Sequence, residues 1–371
     1  MHQNEYDFDY EKLNHLLDRS LREGYLLLGE PTKRLARLVL ENVHASVSLG
    51  ELQHTVSIPQ SFDMALEFFE EIRPQYAYQF QNIMKESFTE MENGRLVEKE
   101  PSVSVKSLDE TQNSECLVKG NGKVALSLRG NVADVGLIVH EMTHKFNHPF
   151  ESGTVLRYYL NEIPPLSLEF VLYQFLLEKR SEYKNDLELA MRMRMVNEVR
   201  TALTVAVLAE LFELYLANGK LDESILREFD ERLAEENSIY SNMIRRSWKY
   251  YLKRKMTDKY FIQVQQVQHL VGFVFSCDFY SKFKMNPSEL ESIFALNEIL
   301  GNSERTLAKD CQTLKELGFD VFGDLGDGEL YEYKNCMEFD EETLARLASS
   351  FAEVYGNFSN KSFRGGKTPQ N

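Results

Sequence analysis

Proline and glycine are scarce in this chain, 9 and 19 among 371 residues. So few helix breakers leave long uninterrupted stretches, and helices become the default expectation. Basic charge is short as well: 42 Lys and Arg face 58 Asp and Glu, a net charge of −16. Nucleic-acid phosphates would be repelled by that balance unless a basic stripe offset it, so no nucleic-acid partner is expected. The notable basic cluster, Arg245-Arg246 with Lys253-Arg254-Lys255, reads as a solvated helix face. Cys116, Cys277, Cys311 and Cys336 are far apart and form no Cys-x-x-Cys pair. That spacing offers neither a zinc ribbon nor a disulfide framework and points to a reducing compartment. The segment Met1 to Asp7 lacks the basic region and apolar core of a secretion signal; a cytoplasmic location is the expectation. Long apolar runs are missing too. Thr201 to Ala209 is interrupted by Glu210 and Glu213 before about 20 apolar residues accumulate, which predicts a buried core helix and no membrane partner.

Apolar residues recurring at three and four spacing predict helices over Tyr10–Leu28, Thr32–Val47, Ser61–Ile72, Gln75–Met91, Val135–Phe146, Leu166–Tyr183, Leu187–Leu216, Ser224–Glu236, Ile239–Lys253 and Tyr260–Phe283. Strand character is confined to Val103–Val105, Cys116–Lys119 and Val124–Leu128, expected to form a small sheet whose last strand is an edge bordering a cleft. An edge strand can pair with an extended peptide and position it by backbone hydrogen bonds. Residues 337–357 form one more amphipathic segment, and 360–371 reads as a disordered tail.

Within the helix that follows the last strand lies His140-Glu141-Met142-Thr143-His144, entered through Leu137-Ile138-Val139. Two imidazoles four residues apart share one helical face, so both can reach one cation while the intervening Glu projects beside its open coordination position. The pattern predicts a zinc site that activates water, with His140 and His144 as ligands and Glu141 as general base. A solvated helix face is the bland alternative, but three aliphatic residues leading straight into His140 argue for burial, and buried His pairs need a partner. His148 reads as a helix-end residue; the third histidine of a metzincin would require Gly at 147 and His at 150, where Asn147 and Phe150 stand.

A catalytic zinc keeps three protein ligands and one open position. Glu162 and Glu169 are the candidates for the third, in Asn161-Glu162-Ile163-Pro164-Pro165-Leu166-Ser167-Leu168-Glu169-Phe170. Their spacing is two helical turns. Proline fits only a first turn, which places Glu162 at the helix N-terminus.

The run Val124 to Gly130 followed by Asp134-Val135-Gly136-Leu137-Ile138-Val139-His140-Glu141-Met142-Thr143-His144 resembles the thimet oligopeptidase and oligoendopeptidase F family of zinc metallopeptidases. Phe62 to Phe88, Val267 to Ser276 with Gly272-Phe273, and Leu296 to Asp320 extend the likeness over about residues 57–321, the catalytic half of the family's chains. The resemblance implies a mainly α, zincin-like metallopeptidase fold, with N-terminal helices at 1–56, a catalytic domain at 57–321 and a C-terminal extension at 322–371. It implies Zn²⁺ as cofactor, a peptide substrate, Glu162 as third ligand and Glu169 as the carboxylate that orients a ligand imidazole. The gap from His144 to Glu169 matches the family's usual spacing better, whereas the local motif favours Glu162. Two departures stand out. Thr143 replaces a Gly and fills space near the metal, and His269 falls where the family carries a Tyr that holds the oxyanion. His269, assisted by Tyr260 or Tyr280, is the candidate for that hydrogen bond. Asp134 is expected to cap the helix N-terminus. The function so implied is a zinc metallopeptidase; the rivals are an inactive relative that holds a peptide or partner, and a metal-free scaffold.

Overall fold

The computed structural model describes residues 8–22, 29–43, 50–87, 91–92, 95–96, 103–107, 116–118, 124–146, 160–257, 264–301, 307–319 and 339–359. In chain order these form helices α1 (Tyr10–Arg22), α2 (Glu30–Glu41), α3 (Ile58–Ile72) and α4 (Pro74–Ser87); strands β1 (Met91–Glu92), β2 (Arg95–Leu96), β3 (Val103–Ser107), β4 (Cys116–Val118) and β5 (Val124–Leu128); and helices α5 (Ala133–Phe146), α6 (Ile163–Lys179), α7 (Lys184–Asn218), α8 (Glu223–Glu236), α9 (Ile239–Lys255), α10 (Val264–Met285), α11 (Leu290–Gly301), α12 (Leu307–Glu316) and α13 (Glu341–Ser359). The protein is mainly α with a small sheet. His148, Tyr260 and the 360–371 tail lie outside the described residues.

Local chemistry sets several of the helix ends. Ser57 and Gln60 form a reciprocal capping box at α3, with the Ser57 N–H donating to Gln60 Oε1 at 3.0 Å. Helix α7 stops at Gly219, whose φ of 71° needs no Cβ, and whose N–H closes on the Tyr215 carbonyl. Asp222 and Ser238 cap α8 and α9 by accepting from Ile225 N and Ser241 N.

Helix α6 is the centre of the fold. It is buried continuously from Ile163 to Tyr173, a stretch apolar but for Ser167 and Glu169, with α5 and α10 packed along it. Two buried serines stitch α6 to α10: Ser167 Oγ donates to Ser276 Oγ at 3.1 Å, and Ser276 Oγ donates to the Ile163 carbonyl at 3.1 Å. Each buried hydroxyl thereby finds the partner that burial demands. Helix α7 closes the group against α2 and α10, and α13 packs on α10.

The acidic residues that interrupt the apolar run of α7 have structural partners. Glu210 is buried and holds Lys33 of α2 at 3.1 Å, Arg232 of α8 at 3.0 Å and the Tyr240 hydroxyl of α9 at 3.1 Å. Glu213 adds a second contact to Lys33 at 2.7 Å. Among the described residues no helix is long and apolar enough to cross a membrane.

The three-stranded sheet has the order β3-β5-β4. β3 runs parallel to β5 in the register Val103↔Val124, and β4 runs antiparallel to it with Leu117↔Ala125. Val124–Leu128 is therefore the central strand, not the edge expected from sequence. Its alternation of buried Val124, Leu126 and Leu128 announces which face is buried but says nothing about which backbone edges are paired. The edge beside α5 is β4.

The turn from β5 into α5 corrects a second expectation. Asp134 sits inside the first turn of α5 and accepts from the backbone N–H groups of Arg129 (3.1 Å), Gly130 (2.6 Å) and Asn131 (3.2 Å). It ties down the preceding loop instead of capping the helix's own free N–H groups. Gly130, at φ 79°, makes the turn possible. The result is a strand-turn-helix unit that delivers α5 to the site at a set angle.

Sequence patterning leaves α11 and α12 unrecognised as helices, together with the β1-β2 pair; these are short elements in which too few turns repeat for a period to stand out.

Candidate metal centre

Helix α5 carries His140, Glu141 and His144, all against the core side of the helix, with His140 and Glu141 buried. The two imidazoles meet edge to face with centroids 4.9 Å apart, and their Nε2 atoms are separated by 3.3 Å. Glu162 immediately precedes α6, where Pro164 and Pro165 occupy the first turn. From there its carboxylate reaches both rings. Oε2 lies 3.2 Å from His140 Nε2, and Oε1 lies 3.5 Å from His144 Nε2.

These separations test whether the residues fit a metal. Ligand atoms about 2.0–2.1 Å from a tetrahedral zinc stand roughly 3.3 Å from one another. The two imidazole Nε2 atoms, 3.3 Å apart, match that edge length, and the Glu162 carboxylate meets one ring through each oxygen, at 3.2 and 3.5 Å. Glu162 Oε2 is buried and has no hydrogen-bond partner among the described residues, which leaves its lone pairs for a cation. His140 uses Nδ1 on Glu169 Oε1 at 2.6 Å, so its ring is held with Nε2 facing the other two donors. His140, His144 and Glu162 are thus a group that could hold a metal ion.

Glu169 lies on the same helix as Glu162, two turns on, but faces the opposite nitrogen of His140. Arg194 of α7 donates to the same Glu169 oxygen at 2.9 Å. The two glutamates are placed differently, with Glu162, the choice of the local motif and not of the spacing, meeting both Nε2 atoms, and Glu169 backing one imidazole.

The electrostatics follow from burial of opposite charges. Burial opposes the charged form of His140, yet the carboxylates of Glu162 and Glu169 outweigh it and push its pKa up to about 10. Burial likewise opposes the charge on Glu162, and the imidazoles of His269, His144 and His140 overcome it, holding the carboxyl well below its ordinary value. Glu169 is lowered by Arg194 first and His140 next, against its own burial. A cation at the centre of the cluster would compete with a proton on His140.

His269, on α10, stacks on the His140 ring with centroids 6.3 Å apart and planes 15° from parallel. Its Nδ1 is buried, lies 3.8 Å from Glu162 Oε2, and has no hydrogen-bond partner among the described residues. The structure thus brings His269 to the group. It does not bring Tyr280, which stacks on Phe170 at 5.1 Å, eleven residues further along α10. The Thr143 hydroxyl turns back onto the Val139 carbonyl at 2.7 Å.

Three features escape sequence reasoning. Gly272 is where α10 crosses the Glu162 turn; a Cβ there would stand 2.5 Å from Glu162 Cβ and 2.9 Å from its carbonyl carbon. Asn297 of α11 is buried and donates to the Tyr76 hydroxyl at 2.9 Å, with the Thr143 carbonyl 3.5 Å away, bracing the end of α5. Arg194 and Glu198 stand behind the glutamates. A signal for the last pair exists in retrospect: Arg194 and Glu198 are an i, i+4 charged pair in a helix whose neighbouring turns bury Met191, Met195 and Ala202.

No protein-family model and no curated protein matches the chain. Among solved structures, a protein described as a "putative peptidase from Chlamydophila abortus" matches with 12% identity and a TM-score of 0.48, over 94% of this chain and 56% of that one. The chain spans little more than half the length of that protein. What the site can do follows from its own side chains.

Proposed function

We propose that this chain is a zinc-dependent metallopeptidase of the type that resembles the thimet oligopeptidase and oligoendopeptidase F family. The observation that carries the reading is the convergence of His140 Nε2, His144 Nε2 and the Glu162 carboxylate at separations of 3.2–3.5 Å from two different helices. His140, His144 and Glu162 would hold the ion, and Glu169 would fix the His140 ring. When bound, such an ion supplies Lewis acidity to water and to a scissile carbonyl.

The chain's own residues supply the rest. Glu141, next to His140 and 8% exposed, takes a proton from the attacking water and returns it to the leaving amine. His269 donates toward the oxygen that becomes negative as the carbonyl is attacked. Among the described residues one edge of β4, beside α5, has no strand partner; it would offer an extended peptide a backbone partner, so that substrates are held by their main chain and selected by their side chains.

A metal-holding protein without hydrolytic activity is the alternative, favoured by the placement of Tyr280 against Phe170 and away from the donors. Turnover of a mixed quenched-peptide library decides between them. Hydrolysis that is stopped by a chelator and restored by Zn²⁺ supports the peptidase. Bound metal with no turnover supports the alternative, and purified protein with no metal under non-chelating conditions removes both.

A further inference from the structure

Behind the three donors runs a row of charged groups that the proposed chemistry leaves unused. Arg194 Nη2 donates to Glu169 Oε1 at 2.9 Å, and Nη1 lies 3.2 Å from Glu198 Oε1. Glu169 in turn holds His140 Nδ1 at 2.6 Å, while Glu198 Oε1 lies 3.9 Å from His269 Nδ1. The row reads His140, Glu169, Arg194, Glu198, His269. Its two ends are imidazoles from different helices, α5 and α10, with near-parallel planes and centroids 6.3 Å apart.

Both carboxylates are buried. Two buried anions that close would repel each other unless a cation stood between them, and removing that cation leaves charge uncompensated in a poor dielectric. A guanidinium does this with separate N–H groups of one planar fork, a geometry that an ammonium cannot reproduce. The row is not built for stability alone, since Arg194 Nε and Glu198 Oε2 are buried without hydrogen-bond partners among the described residues. A pair serving only α7 would need neither Glu169 of α6 nor an imidazole at each end.

We propose that Arg194 is a positioning residue for His140: through Glu169 it aims the His140 ring at the metal position. One side chain on α7 thereby acts, through a carboxylate of α6, on an imidazole of α5. The inference rests on the metal reading of the site and goes beyond it by assigning Arg194.

The test titrates wild-type protein, Arg194→Met, Glu169→Gln and the double variant with Zn²⁺ against a chromophoric chelator, and reads the Co²⁺-loaded forms by visible absorption. Arg194→Met is expected to weaken Zn²⁺ about 10–100-fold and to shift the Co²⁺ bands. Adding it to Glu169→Gln is expected to cost little more, because both act through one link. Zn²⁺ affinity within twofold of wild type and unshifted bands in a normally folded Arg194→Met protein overturn the proposal, as do strictly additive losses. Should Arg194→Met fail to fold, Arg194→Lys, which keeps the positive charge but loses the planar fork, carries the test: shifted Co²⁺ bands support the proposal and identical bands overturn it. A wild-type chain that takes up no Zn²⁺ overturns the metal reading itself, an outcome distinct from metal binding that ignores Arg194.

Discussion

Gly272 and Glu162 touch so closely that the glycine's missing side chain is part of the site. A methyl group at 272 would fall 2.5 Å from Glu162 Cβ, well inside van der Waals contact, and its neighbours include Glu162 backbone, which cannot rotate away. Helix α10 can lie against the turn before α6 only because nothing projects there.

Gly272→Ala is therefore expected to push α10 off the Glu162 turn. Overpacking of this kind destabilises by about 1–3 kcal/mol. Because the displaced residue is a metal donor, Zn²⁺ affinity should fall together with the urea midpoint. Chelator competition and denaturation on the same preparation check this, and a variant with unchanged affinity would show that the contact relaxes harmlessly.

Glu141→Gln keeps the shape of the side chain and removes its ability to accept a proton. Turnover of quenched peptides is expected to drop about 10²–10⁴-fold. Metal content should stay at the wild-type ratio, since His140, His144 and Glu162 are untouched. Metal analysis beside kcat measurement separates the two effects, and an unaltered kcat would remove Glu141 from the role of base.

Glu162→Ala and Glu169→Gln should differ in kind. The first removes a group that faces both Nε2 atoms, so the purified protein is expected to lose its metal. The second leaves all three donors in place and loosens one ring, so metal is expected to bind about 10–100-fold more weakly. Equal losses from the two variants would mean that the glutamates share one role.

Glu210 gives a stability prediction away from the site. Burial opposes its charge, but Lys33 and then Arg232 reverse that and hold its carboxyl below the ordinary 4.5. A lowered folded value means that the unfolded chain takes up the proton first as acid is added. The stabilisation is complete above pH 4.5 and is lost as pH falls through the folded value. Glu210→Gln should cost about 1–3 kcal/mol at pH 7, moderated by the half-exposed Arg232 and by the second Lys33 partner. The gap between wild-type and variant urea midpoints should narrow below pH 4.5; a gap independent of pH would assign the loss to packing.

Much of the local structure is legible without coordinates. The 3.6-residue period marks α3, α5, α7, α8 and α9 to within a few residues of their observed ends, because amphipathic burial and capping are written in adjacent positions. The pair His140 and His144 is legible for the same reason, since four residues on a helix are a distance. Val124–Leu128 was readable as a strand but not as the central one, because pairing depends on which other segments arrive at its edges. Asp134 was readable as a terminal acid, whereas the loop it binds became its partner only through the bend at Gly130.

By itself, the sequence determined a mainly helical chain with a small sheet and a helix bearing two imidazoles and a glutamate on one side, since short-range periodicity sets these. Tertiary structure decided which ring atoms Glu162 and Glu169, whose roles the resemblance implied, each meet, and it alone decided that Gly272 makes room for that approach and that Arg194 stands between two buried carboxylates. The physical reason is that these relations join helices up to about a hundred residues apart. Packing direction, not spacing along the chain, sets the distances between them.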